Sequence, residues 1–231
     1  MKQLDKYLVG IVYVMNLSEI SLRATFVQGK NFKVFNEECW SIAEMYWLFL
    51  REYNTDDVRK CVISVGEEPS EVDKITSYQG SREVYKLINF DQYFEMSAYE
   101  KKFLQLDLIH SGMTIIGKLE KWDTEPLLKA YKYCFDNDLN NKFFINSKYK
   151  LSPNRQWKLG LWCEWEINCY RLSWVLFDKT GSEINRDLII EDEPSGGEIV
   201  YYLDYKWDDN NYITIRNKSR QNIEMWKIKI L

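Results

Sequence analysis

The sequence predicts an α+β fold, in which an N-terminal antiparallel sheet with about three packed helices precedes a C-terminal, all-β antiparallel unit of the sandwich type. Helix-start signals and apolar residues at helical spacing occur only before about residue 148. Beyond that point apolar residues alternate with period two, and turn residues recur about every ten positions. A polar stretch at 146–156 separates the two patterns, so we expect one domain over 1–148 and a second over 149–231.

The first part of the chain is rich in strand-forming residues. Apolar runs at 6–15, 20–28 and 32–35 favour strands, and the short polar segments between them favour turns. The run at 6–15 follows two lysines, as the core of a secretory signal would, but Asp5 and the missing small-residue cleavage site favour a first strand instead. The chain is therefore expected to open with an antiparallel meander.

Two capping boxes predict helix starts. In SIAE (Ser41–Glu44) and SAYE (Ser97–Glu100), the serine hydroxyl can accept a hydrogen bond from the glutamate N–H while the glutamate side chain reaches back. The apolar spacing that follows each box predicts helices over about 42–53 and 98–121.

Further elements complete the N-terminal prediction. A third helix is expected after Thr124, with Pro126 in its first turn, where a missing N–H is harmless. The run KCVISVG (60–66) predicts a short buried strand, and the polar segment after it, punctuated by Pro69 and Gly80, predicts an excursion.

The segment KLGLWCEWEINCY (158–170) predicts a half-buried strand, because apolar residues occupy every second position. Trp165 falls on the apolar face and is expected in the core. Trp162 shares the polar face with Glu164 and Glu166, where its indole is exposed unless a loop or the N-terminal domain covers it. It is therefore a candidate binding anchor, since tryptophan is enriched in interaction hot spots and also stacks on sugars.

Acidic residues supply the other candidates for a partner-binding site. Glu164 and Glu166 lie about 6 to 7 Å apart along the strand, a spacing that overlaps the carboxylate pairs of glycosidases but is also a routine way of keeping an exposed strand soluble. Together with acidic loops they could face a basic partner. The acidic candidates are Glu164, Glu166, Glu191, Asp192, Glu193, Asp208 and Asp209.

Other function classes lack their signatures in the sequence. The single histidine, His110, cannot form a histidine cluster, and no phosphate-loop, dinucleotide or zinc-protease motif occurs, so neither a cofactor nor a metal is expected. A net charge of −4 without a basic patch argues against nucleic acid, and no run approaches the roughly 18 apolar residues of a membrane span. Five cysteines without a C-x-x-C motif favour reduced, buried thiols and a cytoplasmic location.

These observations favour a non-enzymatic, cytoplasmic protein-binding domain that neutralises or regulates a protein partner. An aromatic content of 16% suits an interface, and the acidic loops suit a basic partner. Immunity proteins that protect bacteria against toxins are commonly small and acidic, so an immunity-type toxin inhibitor is one form that fits. The alternatives are a carbohydrate-binding β-sandwich with Trp162, Tyr201 or Tyr202 as its stacking platform, and an enzyme of unrecognised type.

Overall fold

The computed structural model describes residues 16–25, 30–147, 149–219 and 223–230, and it confirms the α+β class. The helices of these residues are α1 (Lys30–Glu38), α2 (Trp40–Leu50), α3 (Phe90–Glu95), α4 (Ala98–Glu120) and α5 (Glu125–Asp136). The strands are β1 (Glu19–Ala24), β2 (Lys60–Gly66), β3 (Ile75–Tyr78), β4 (Ser81–Leu87), β5 (Asn141–Phe144), β6 (Lys150–Leu151), β7 (Lys158–Trp165), β8 (Tyr170–Phe177), β9 (Glu183–Asp192), β10 (Leu203–Trp207), β11 (Tyr212–Asn217) and β12 (Ile223–Lys229).

The N-terminal sheet is mixed, which corrects the prediction of a purely antiparallel sheet. Its strand order is β1-β2-β4-β3, and only the β3/β4 pair is antiparallel. Parallel neighbours need a long crossover, which α1 and α2 provide between β1 and β2. The predicted strand at 6–15 and the last residues of the one predicted at 20–28 lie outside the described residues.

The segment at 32–35, predicted as a strand, belongs to α1. Phe35 is fully buried, with its ring centroid 5.3 Å from that of Phe90 and 4.9 Å from that of Tyr93. Asn36, next in the chain, accepts a hydrogen bond from the Ala24 N–H at 2.8 Å and so ties the helix to β1. A four-residue apolar run is too short for its periodicity to separate strand from helix.

The two predicted capping boxes have opposite outcomes. At α4 the box is present: Ser97 Oγ accepts from the Glu100 N–H, and the Glu100 carboxylate accepts from the Ser97 N–H at 2.8 Å. At α2 it is absent, because the helix begins at Trp40 and the Ser41 hydroxyl donates to the Trp165 carbonyl instead. The helix after Thr124 is confirmed as α5.

The C-terminal strands form two antiparallel sheets around a shared core, as predicted. One sheet has the order β5-β7-β8-β9 with β6 also on β7, and the other has the order β10-β11-β12. Trp165 is fully buried between them, as its position in the alternating segment predicts. The domain boundary expected at 148/149 stays a prediction; β5, which precedes it, is hydrogen-bonded to β7.

A 3-10 helix, Pro194–Tyr202, connects the two C-terminal sheets. Pro194, Gly197 and Val200 are buried. Gly197 lies directly against the indole of Trp165, so that a Cβ at this position would collide with the ring. The absence of a side chain therefore lets the helix approach the core closely.

Candidate functional site

Four aromatic rings are in contact on the outer side of the five-stranded sheet, and we call this group the aromatic face: Phe144, Tyr149, Trp162 and Phe177. Ring centroids are 4.6 Å apart for Phe144 and Trp162 and 5.0 Å apart for Tyr149 and Phe177. Gly160 makes room for them, since a Cβ there would lie 2.8 Å from the Phe144 ring. The rings thus form one continuous surface.

Within the aromatic face, the side chain of Trp162 is half-buried beneath its neighbours. The Arg186 guanidinium lies over the indole, 5.6 Å from the ring centroid, and is itself paired with Glu183 at 2.9 Å. The indole Nε1 is buried and has no hydrogen-bond partner among the described residues. Neighbouring strands of its own sheet therefore cover part of Trp162, through Phe144 and Arg186, in place of the loop or N-terminal domain expected from the sequence.

The most exposed parts of this surface are residues that the sequence reasoning missed. Tyr149 is 48% exposed and Leu188 is 50% exposed. Leu188 lies opposite Ser173, which in turn lies opposite Trp162, so all three share one row of the sheet. Tyr149 falls in the polar stretch at 146–156, and its ring contacts those of Phe144 and Phe177 at 5.0 Å.

Glu164 and Glu191 belong to a row of alternating charges beside the aromatic face. The strand register aligns Lys142, Glu164, Arg171 and Glu191 across β5, β7, β8 and β9. Lys142 lies 3.1 Å from Glu164, and Arg171 donates to Glu191 at 2.6 Å. Both acidic candidates are therefore neutralised within the sheet.

Glu166 connects the sheet to the N-terminal helices. Its carboxylate lies 2.5 Å from the ammonium of Lys102 on α4 and 3.9 Å from that of Lys142. Of the two glutamates considered as a carboxylate pair, Glu164 is held by Lys142 and Glu166 mainly by Lys102. The arrangement fixes α4 against the end of β7.

The remaining acidic candidates are not brought together. Asp192 ends β9 and accepts from the Glu193 N–H, and Glu193 is the N-cap residue of the 3-10 helix. Asp208 accepts from the Thr214 hydroxyl at 2.6 Å, and Asp209 accepts from two amides of the β10–β11 turn.

Strand register places the acidic pair Asp192 and Glu193 at one end of β7 and the pair Asp208 and Asp209 at the other end. Asp192 is opposite Tyr170, which pairs with Trp165, whereas Trp207, beside Asp208, donates to the Lys150 carbonyl next to Leu159. Six strand steps separate Leu159 from Trp165, about 20 Å. The acidic loops therefore do not form a single surface.

A cavity of about 520 Å³ lies where β1, α2 and the 3-10 helix meet, and we call it the junction cavity. Its walls carry aromatic rings, carboxylates and two basic groups. The residues that matter for its chemistry are Glu19, Arg23, Trp40, Glu44, Trp47, Lys60, Glu198, Tyr201 and Tyr202. No local sequence pattern predicts this cavity, because its lining comes from four separate segments of the chain, at 18–23, 36–47, 60 and 198–202.

Glu44 is the most perturbed carboxyl group of the junction cavity. Its pKa is raised from 4.5 to about 7: burial raises it most, the hydrogen bond from the Tyr201 hydroxyl lowers it, and the negative charges of Glu198 and Glu19 raise it. The Tyr201 hydroxyl donates to one Glu44 oxygen at 2.5 Å. At neutral pH this carboxyl is therefore held close to half-protonation.

The histidine and the cysteines are built into the core. His110 Nδ1 lies 3.0 Å from the Tyr46 hydroxyl, and burial lowers the pKa of the imidazole. All five cysteines are free and buried, which confirms that part of the prediction. Burial raises the pKa of the Cys61, Cys134 and Cys163 thiols to about 12, so their reactive thiolate forms are scarce at neutral pH.

Within the described ranges, no three His, Cys, Asp or Glu side chains are grouped so that they could hold a metal ion. In the same part of the chain, no helix combines the length and hydropathy needed to cross a membrane. Comparisons with protein-family models, curated proteins and solved structures found no match to this chain.

Proposed function

We propose that the protein is a protein-binding domain that captures a protein partner through its aromatic face and so neutralises or regulates that partner, as immunity-type inhibitors of bacterial toxins do. The aromatic face is the observation that carries the proposal. Its rings are in mutual contact on the outer side of a sheet, Tyr149 is about half exposed, and the half-exposed Leu188 lies in the same sheet row as Trp162. Tryptophan and tyrosine are the residues most enriched in binding hot spots.

The surroundings of the aromatic face match the anatomy of an interface. An apolar centre lies beside the charge row of Lys142, Glu164, Arg171 and Glu191, in the way that a polar rim surrounds the buried core of an interface. Contacts between the rings limit their motion, so little side-chain entropy is lost when a partner docks. The surface is thus prepared for binding without rearrangement.

We infer the partner's charge from long-range electrostatic attraction to the whole protein and not from ion pairs across the interface. Glu164, Glu166 and Glu191 already have cationic neighbours in the protein. The net charge of −4 nevertheless favours encounter with a basic protein. The proposed partner therefore has a basic net charge and an apolar contact patch.

The geometry favours a protein over a sugar as the ligand. The carbohydrate alternative takes Trp162, Tyr201 or Tyr202 as its stacking platform, and the Tyr201 hydroxyl is bound to Glu44 in the junction cavity. The Arg186 guanidinium also lies over the Trp162 ring, on a face that a sugar would need for stacking.

Affinity capture with matched surface variants tests the proposal. Tagged protein is used as bait in extract of the native host at moderate salt, and proteins retained in stoichiometric amount are identified by mass spectrometry. Tyr149→Ala and Leu188→Ala should each reduce the retained partner about tenfold, which corresponds to about 1.4 kcal/mol. Tyr99→Ala is the control, because Tyr99 has the same 48% exposure but lies on α4.

The purified partner is then titrated with the protein while the partner's own activity is measured. Full inhibition at one equivalent, weakened by Tyr149→Ala and unchanged by Tyr99→Ala, is the expected result. If all variants retain the partner equally, the aromatic face is not part of the interface. If no partner is retained in stoichiometric amount and the purified protein binds to a glycan array, carbohydrate binding replaces protein binding as the proposed function.

A further inference from the structure

We infer that the junction cavity binds an organic cation, an ammonium or guanidinium group, between the indoles of Trp40 and Trp47 and the carboxyl groups of Glu44 and Glu198. This site involves none of the residues of the aromatic face and does not depend on the proposed function. Its volume of about 520 Å³ falls within the range of small-ligand pockets. Three features of the cavity support a cationic ligand.

The first feature is an excess of carboxyl groups over available cations. Lys60 lines the cavity but is paired with Glu19, and Arg23 lines it but is bound to both oxygens of Glu83 at 3.0 Å. No ion pair among the described residues involves Glu44 or Glu198. Lys60 attracts Glu198 only from beyond ion-pair distance, so a bound cation would supply the contact ion pair that both carboxyl groups lack.

The second feature is the aromatic wall. Trp40, Trp47, Tyr201 and Tyr202 line the cavity, and aromatic rings, tryptophan above all, attract cations through their faces. Trp47 is held in place, because its Nε1 donates to the Leu17 carbonyl at 3.0 Å and its ring meets that of Tyr201 edge-on. The wall is therefore preorganised for a flat or compact cation.

The third feature is the way in which Glu44 is presented. Tyr201 donates to one of its oxygens, and within the described part of the chain no donor reaches the other. That oxygen is free to accept from a ligand N–H. An ammonium or guanidinium group carries several donors and can satisfy Glu44 while its charge meets the indoles.

Cation binding is coupled to proton release. Burial holds the Glu44 pKa at about 7, and a positive charge beside the carboxylate lowers that pKa, so the ligand expels the proton. Charged and titratable groups face Glu44 from three elements, namely Glu19 and Arg23 of β1, Lys60 of β2, and Glu198 and Tyr201 of the 3-10 helix. Affinity for a cation should therefore rise between about pH 6 and pH 8.

Isothermal titration calorimetry of the intact protein with butylguanidinium tests the inference, with butylurea as a neutral molecule of the same shape. We expect butylguanidinium to bind at least tenfold more tightly than butylurea and to release protons at pH 7, measured in two buffers of different ionisation enthalpy. Glu44→Gln should weaken butylguanidinium binding at least tenfold. Glu52→Gln should leave it unchanged, because Glu52 follows α2 but does not line the junction cavity.

The same titrations distinguish two sources of the cation. A pentapeptide with one central arginine, compared with its citrulline counterpart, probes a protein side chain, whereas butylguanidinium probes a free small molecule. Equal affinity for butylguanidinium and butylurea, or no heat up to about 10 mM of either cationic probe, would overturn the inference. Should Glu44→Gln fail to fold, Glu198→Gln repeats the test from the 3-10 helix, and unchanged binding by that variant also overturns it.

Discussion

Lys102 of α4 and Glu166, at the end of β7, form an ion pair 2.5 Å long whose lysine side chain is only 8% exposed. The pair connects a helix of the N-terminal half with a strand of the C-terminal half. When one member of such a pair is removed, the other is left as an uncompensated charge in a poorly solvated site. The pair is therefore a sensitive point for stability.

Glu166→Gln should lower the free energy of unfolding by about 3 kcal/mol, because the Lys102 ammonium stays buried without its carboxylate. Glu164→Gln is the matched control on the same strand face; its partner Lys142 is well exposed, so a loss below about 1 kcal/mol is expected. Urea unfolding followed by circular dichroism measures both. Equal losses in the two variants would contradict a special role for the Lys102 pair.

Gly197→Ala should destabilise the protein by about 2 kcal/mol or more, because the new methyl group collides with the fully buried Trp165 ring. Near-ultraviolet circular dichroism should change as the indole is displaced. Gly181→Ala serves as the comparison, because nothing lies within 4 Å of a Cβ at this position. Its loss of stability should come only from the positive φ of 91°, and the near-ultraviolet spectrum should stay unchanged. An unperturbed spectrum for Gly197→Ala would show that the 3-10 helix can move away.

The two capping boxes show what local sequence predicts and what it does not. Ser97 and Glu100 cap α4 as expected, because at this exposed helix start their side chains bond to each other and to each other's backbone N–H. Ser41 and Glu44 have the same spacing, but the buried Trp165 carbonyl and the Tyr201 hydroxyl take their hydrogen bonds. Tertiary partners from distant segments override a local motif of modest strength.

The residues of the candidate sites likewise divide into those that the local sequence predicts and those that only tertiary contacts bring together. Period-two alternation correctly put Trp165 in the core and Trp162 on the outer face, since both assignments depend only on neighbours along one strand. The contact between Tyr149 and Phe177 joins residues 28 positions apart, and the junction cavity needs β1, α2 and the 3-10 helix together. Such non-local contacts leave no periodic signal in the sequence.

The five thiols should be protected in the native protein. Each is buried, and burial raises the pKa values of Cys61, Cys134 and Cys163 to about 12, so thiol–disulfide exchange is slow. A colorimetric disulfide reagent at pH 7.5 should titrate less than one thiol per chain within minutes, and five after unfolding in guanidinium chloride. Rapid native labelling of one cysteine, located by peptide mapping, would show local opening at that position.

Glu44 should make the protein less stable at alkaline pH. Its pKa is raised from an ordinary value of 4.5 to about 7 in the folded state, so the stabilisation from its bound proton is complete below about pH 4.5 and is lost as pH rises through 7. Glu44→Gln has no proton to lose at this position. At pH 8 its free energy of unfolding should exceed that of the unsubstituted protein by up to about 3 kcal/mol, whereas at pH 5 the two values should differ little.

Urea unfolding from pH 5 to pH 8, with Glu52→Gln as the control, measures the Glu44 effect. His110 acts in the opposite direction: burial lowers its pKa from 6.5, so its contribution is lost as pH falls below that value. Because His110 is present in all three proteins, its effect cancels when variants are compared at one pH. A difference between Glu44→Gln and the unsubstituted protein that stayed constant across this range would mean that Glu44 is ionised throughout, and that the junction cavity is better solvated than its geometry indicates.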